Sequence, residues 1–185
     1  MNVLIGYLEP GCGAGLFHAV THSITTAGAF LVVGAVAGAG LGEEAIGYRG
    51  LGRRQPFVAL AMTVFLLSLV GIPPLAGFQS KFVLFSSAVD AGLNGSAWLL
   101  WLTVAGVLNS ALSLFYYLRI IKAMYFELPE PAAHSESVSA HPLTKGSIPL
   151  LLLVAIALAF GVVILLGFAP GPLLSTLMTA AASLF

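Results

Sequence analysis

Lys81 sits in the stretch GIPPLAGFQSKF, residues 71–82, with the apolar run VALAMTVFLLSLV ahead of it and VLFSSAV behind it. A charged group enclosed by hydrophobic sequence costs a few kcal/mol in a membrane and by default marks a pathway for ions or protons. The residues beside it are helix breakers. Pro73 and Pro74 withdraw two backbone donors and clash with the preceding turn, while Gly71 and Gly77 accept conformations that other residues resist. Carbonyls freed near the middle of a membrane are tolerated only where protein or trapped water satisfies them. An interrupted helix beside a lysine is therefore the pattern of a wet site, as in transporters that bind ions at broken helices. The plainer alternative is a lysine that snorkels to the headgroups beyond a simple proline kink.

Other polar side chains lie within apolar sequence. In LFHAVTHSITTAGAF, His18 and His22 are four residues apart and share a helix face, with Thr25 and Thr26 one turn further on. Imidazoles followed by hydroxyls can pass a proton through water; equally, the threonines can bond their own helix. Cys12, His18 and His22 fit no zinc spacing and lack a fourth ligand, so no metal site is expected. Asn109, Ser113 and Tyr117, spaced by four, form a stripe that either holds helices together or lines a cavity facing Lys81. The carboxylates Glu9, Glu43, Glu44, Asp90, Glu127, Glu130 and Glu136 all fall in connections or near the ends of spans. No span of this chain thus offers Lys81 a counter-ion; a buried lysine of that kind has a switchable charge, and a partner for it is expected on another polypeptide.

The elements that carry these residues follow from composition. With 59% hydrophobic and 8% charged residues, against roughly 25% charged in soluble domains, the chain reads as an integral membrane protein. Spans need about 20 apolar residues, and residues 16–39, 56–89, 97–125 and 148–168 qualify. The expected fold is all-α: one transmembrane domain over residues 1–185, a polytopic bundle of about four spans. The second span, at about 1.5 Å per residue, overshoots a hydrocarbon core of about 30 Å, so it must be discontinuous at Gly71–Gly77. Residues 169–185 are too short to span and are expected as an interfacial helix. The start of the chain lacks a signal peptide and breaks early at Glu9 and Pro10. Zero net charge suggests no nucleic-acid partner. Arg49, Arg53 and Arg54 lie in one long connection, and Arg119, Lys122 and Lys145 lie at or after the end of the third span. The positive-inside rule places loops 40–55 and 126–147 in the cytoplasm and both termini outside.

The stretch GIPPLAGFQSKF, with YRGLGRRQPFVALAMTVFLLSLV upstream and VLNSALSLFYYLRIIKAMYF downstream, closely resembles the broken-helix signature of a known family. These are the antiporter-like membrane subunits of proton-pumping NADH:quinone oxidoreductase, complex I, and of Mrp-type cation/proton antiporters; the stretch looks most like subunit N of complex I. The resemblance covers residues 16–126. It implies a membrane-arm subunit, in the plasma membrane of a prokaryote, that translocates protons through intramembrane lysines, a glutamate and histidines while a distant quinone is reduced. By motif match, Lys81 takes the place of the charged residue of the C-terminal half-channel. The segment FHAVTHSITTAGAFL is similar instead to the sibling L and M subunits and to Mrp proteins, with Thr26 standing where those carry a lysine. Family members have many more spans, so the resemblance implies a fragment or one half of a split gene. The expected partners are then lipid and other membrane subunits, including whichever chain carries the missing N-terminal helices. No cofactor is expected in this chain, which has neither a glycine-rich phosphate loop nor a cysteine cluster. Two further functions fit the same residues: a subunit of an Mrp-type sodium/proton antiporter, and a packing subunit without transport.

Overall fold

A backbone in hydrocarbon must satisfy its own polar groups, which leaves helices as the main solution for a sequence of this hydropathy. The computed structural model describes residues 2–39, 45–128 and 148–183, and these form an all-α bundle. Its helices are α1 (Asn2–Gly38), the short α2 (Leu51–Arg54), α3 (Pro56–Val70), α4 (Ala76–Leu93), α5 (Trp98–Phe126), α6 (Leu150–Phe168) and α7 (Gly171–Ala182). Three segments among the described residues are long and apolar enough to cross a membrane: Gly11–Gly38, Trp98–Phe126 and Leu150–Phe168. The chain is a multi-pass membrane protein.

The long second apolar segment is split as its length requires, into α3 of 15 residues and α4 of 18 residues. Both halves run antiparallel to α1: Phe65 of α3 packs on Gly28, His18 meets Ser80, and Gly11 faces Ser87 near the end of α4. Helix α5 returns beside α4, with Leu100 against Gly92, Phe85 against Gly106 and Lys81 reaching Ser110. The core lies among α1, α3 and α6, where Val32, Val36, Val58, Phe65, Ile156 and Val163 are fully or almost fully buried. Small residues such as Ala35, Ala59 and Ala61 let these helices approach closely, which is how helices associate where lipid is as apolar as the side chains. Helix α5 is the outer wall and leaves Trp101, Leu112 and Phe115 exposed.

Two boundaries differ from the sequence-based expectation. Helix α1 begins at Asn2 and runs through Pro10. Met178 of α7 lies against Gly13, so the early part of α1 has a packing partner, and packing overrides weak local propensity. Helix α4 continues past Asp90 to Leu93, where the Asn94 amide and side chain both donate to the Asp90 carbonyl at 3.2 and 2.8 Å. Helix α7 packs along α1, with Ala181 buried. Much of the two basic connections, including Glu43, Glu44, Glu130, Glu136 and Lys145, lies outside the described residues. Their described parts meet at one end of the bundle: Arg49 pairs with Glu127 at 2.9 Å, and the Gly50 amide donates to the Ala123 carbonyl at 3.2 Å.

Candidate functional site

The break is built by backbone arithmetic. In a continuous helix the carbonyls of Leu69 and Val70 would accept from the amides four residues on. Those residues are Pro73 and Pro74, which have no amide hydrogen. Helix α3 stops at Gly71, which adopts φ +97°, a left-handed conformation open to glycine, and its amide donates back to the Leu67 carbonyl at 3.1 Å. The peptide between Pro73 and Pro74 is cis.

Lys81 fills the gap that the prolines leave. Its Nζ donates to the Leu69 carbonyl at 2.8 Å, to the Val70 carbonyl at 3.0 Å and to Ser110 Oγ on α5 at 2.9 Å. All three ammonium donors are used. The carbonyls also form the negative end of the α3 dipole, where a cation is favoured, and α3 has no basic residue of its own in its last turn. These hydrogen-bond partners lie in this chain and are neutral oxygens, so they do not supply the counter-ion expected on another polypeptide. Among the described residues no carboxylate contacts the nitrogen.

The crossing of α3 and α4 keeps this geometry. The Gly77 amide donates to the fully buried Ser68 Oγ at 3.0 Å, and a side chain on Gly77 would collide with the Ser68 carbonyl. Gln79 Nε2 ties the first turn of α4 to the Gly167 carbonyl at the end of α6, at 3.1 Å.

One residue before Lys81 on α4, Ser80 Oγ lies 3.0 Å from His18 Nδ1, and its hydroxyl donates to the Gly77 carbonyl at 3.2 Å. His22 lies beside His18, the rings tilted by 31° with centroids 5.6 Å apart, and is exposed on the outer face of α1. The structure thus joins His18 to the Lys81 region through α4. Thr25 is turned to its own helix, donating to the Thr21 carbonyl at 2.8 Å, whereas the buried Thr26 hydroxyl has no hydrogen-bond partner among the described residues. The stripe on α5 is divided: Asn109 is exposed, Ser113 is buried and donates to the Ser110 carbonyl at 2.7 Å, and Tyr117 sits edge-on to Tyr116. Ser110, one position off that stripe, is the residue that touches Lys81. It could have been found only by knowing how α4 and α5 are registered. Among the described residues there is no group of three or more His, Cys, Asp or Glu that could hold a metal ion.

A cavity of about 650 Å³ opens between α4 and α5. Val70, Gly71 and Ser110 line one end, and Asp90 and Leu93 line the other. The surroundings of Lys81 are thus continuous with the end of the bundle that carries Asp90.

Residues 3–113 match the family described as NADH:quinone oxidoreductase/Mrp antiporter, TM. The chain belongs to this family. Over 176 residues, 90% of the chain, it is 40% identical to F(420)H(2) dehydrogenase subunit N of Methanosarcina mazei, covering 32% of that protein. It is 34% identical over its whole length to NADH-quinone oxidoreductase subunit N of Thiobacillus denitrificans, covering 35% of it. Among solved structures, an Mrp complex from Dietzia matches 94% of the chain with TM-score 0.71 and 26% identity, covering 38% of the matched chain. Respiratory complex I from Thermus thermophilus matches 93% with TM-score 0.63 and 29% identity, covering 37%. This member of the family spans about a third of the length of the curated relatives it matches.

Proposed function

We propose that this chain forms the C-terminal part of a proton-translocating membrane-arm subunit in an NADH-quinone oxidoreductase type complex, with Lys81 as a proton carrier. The observation that carries the reading is the pairing of Lys81 with two carbonyls stripped of their donors by Pro73 and Pro74.

Ser110 gives this arrangement two states. With Lys81 charged, Ser110 Oγ accepts from Nζ while its hydroxyl donates to the Gly106 carbonyl at 3.0 Å. With Lys81 neutral, rotation of the same hydroxyl lets it donate to the amine lone pair, so both states are hydrogen-bonded. The proton leaves through water in the α4–α5 cavity toward Asp90, nine residues along α4 and so about 14 Å away. On this reading His18, bonded to Ser80, resupplies it from the α1 side. Electron transfer takes place on other chains of the complex and this chain holds no redox cofactor. Its neighbours are membrane subunits, including the one that carries the remaining helices. The complex sits in a prokaryotic plasma membrane, with the Arg49–Glu127 end of the bundle facing the cytoplasm.

A second reading, a subunit of an Mrp-type sodium/proton antiporter, draws on the fit to the Dietzia complex and on the His18–His22 pair. A third, a packing subunit, draws on the same lysine cap, because three hydrogen bonds within one chain also serve stability alone. Substituting Lys81→Met in the assembled complex tests the proposal. Proton translocation should fall severely while electron transfer continues; unchanged translocation would favour the packing role.

A further inference from the structure

A second cavity, about 700 Å³ in volume, lies on the outer wall of α5. Phe115, Leu118 and Ile121 form an apolar floor, and two cations, Arg119 and Lys122, line the same cavity, with Phe126 beyond them. Both are exposed. Among the described residues the one acid at its rim, Glu127, is already paired with Arg49 at 2.9 Å. Among the described residues, neither Arg119 nor Lys122 has an acidic partner. A pair of cations without an acidic partner among the described residues therefore stands above an aromatic and aliphatic floor.

Depth along α5 decides what suits such a surface. Ser110, which holds Lys81, is close to the middle of the 29-residue helix. At about 1.5 Å per residue, Arg119 lies roughly 14 Å and Lys122 roughly 18 Å from that level. Half a hydrocarbon core is about 15 Å, so the two cations fall where acyl chains give way to phosphates. Phe115 and Leu118 lie on the hydrocarbon side of them. The order apolar, then cationic, matches one molecule of phospholipid: chains along α5 and an acidic headgroup at Arg119, whose planar fork suits a phosphate. An acidic helix from a partner protein would match the charges but not the apolar floor beneath them.

We infer that the Arg119–Lys122 cavity is a binding site for an anionic phospholipid, its phosphate held by the two cations and its acyl chains packed on Phe115 and Leu118. The site is independent of proton transfer at Lys81.

The complex containing this chain, relipidated with phosphatidylcholine vesicles carrying phosphatidylglycerol and then washed, tests the inference when bound lipid is counted by mass spectrometry. The wild type should retain one more phosphatidylglycerol per complex than the Arg119→Gln/Lys122→Gln variant. Its affinity should be higher by about tenfold or more, since each basic residue near the surface contributes roughly fivefold. The Arg119→Lys/Lys122→Arg variant should keep the lipid. Millimolar inorganic phosphate should not displace it, because a free anion makes no use of the apolar floor. Equal retention by the neutral variant, or displacement by phosphate alone, would overturn the assignment; so would a cross-link from Lys122 to an acidic protein segment in place of lipid. Should the neutral variant fail to assemble, melting of the wild type decides: phosphatidylglycerol must raise its melting temperature above that in phosphatidylcholine alone, and an identical temperature refutes the site.

Discussion

Replacing Gly77 with alanine perturbs the joint on which the site depends. The new methyl group would meet the carbonyl oxygen of Ser68, which is held in place by helix α3. Helices α3 and α4 must therefore separate at their crossing. Overpacking of that kind costs about 1–3 kcal/mol. Separation also stretches the buried bond from the Gly77 amide to Ser68 Oγ, worth about 0.5–1.5 kcal/mol. Alanine's better helix propensity returns up to about 1 kcal/mol, leaving a net loss of about 2 kcal/mol. Gly161 supplies the control, since it lies in α6 with nothing near enough to touch an added methyl. Gly161→Ala should be neutral or stabilising by up to about 1 kcal/mol. The assay is the fraction of complex that survives graded heating in mild detergent. The expected order is Gly161→Ala at or above wild type, with Gly77→Ala clearly below both. If Gly77→Ala survives as well as Gly161→Ala, the close crossing of α3 and α4 is wrong, and with it the placement of Lys81.

Three more substitutions probe the surroundings of that crossing. Gln79→Leu removes the tie to the Gly167 carbonyl and should lower stability by about 1 kcal/mol, read in the same heating assay. Ser110→Ala removes the hydroxyl that bonds Lys81 and should slow proton translocation by about tenfold, in line with the loss of one hydrogen bond to a charged group. Ser113→Ala, which loses only a bond to the carbonyl of Ser110, should pump within about twofold of wild type; equal effects of the two changes would dissociate Ser110 from the transfer.

Much of this fold is legible in the sequence because a membrane leaves the backbone few options. Apolar length locates α5 and α6 almost to the residue, and the Pro–Pro pair locates the break. The partners of Lys81 are partly legible as well: counting back four from Pro73 and Pro74 names Leu69 and Val70 as the carbonyls without donors. What composition and spacing do not contain is long-range register. The divided fate of Asn109, Ser113 and Tyr117 is settled by which side of α5 meets α4, and that contact centres on Ser110. The early start of α1 depends on α7, a helix more than a hundred residues away in sequence. Thr25 and Thr26, alike in sequence, differ because one finds the Thr21 carbonyl and the other finds no partner among the described residues.

The most direct test of proton transfer at Lys81 is the proton-to-electron ratio of the assembled complex carrying Lys81→Arg. A guanidinium can still donate to the carbonyls of Leu69 and Val70, so the helix break should remain capped and the complex as heat-stable as wild type. It does not release its proton in proteins. Normal assembly and electron transfer with a lowered ratio are the expected result, whereas a Lys81→Arg complex that pumps at the wild-type ratio would contradict proton release from this side chain.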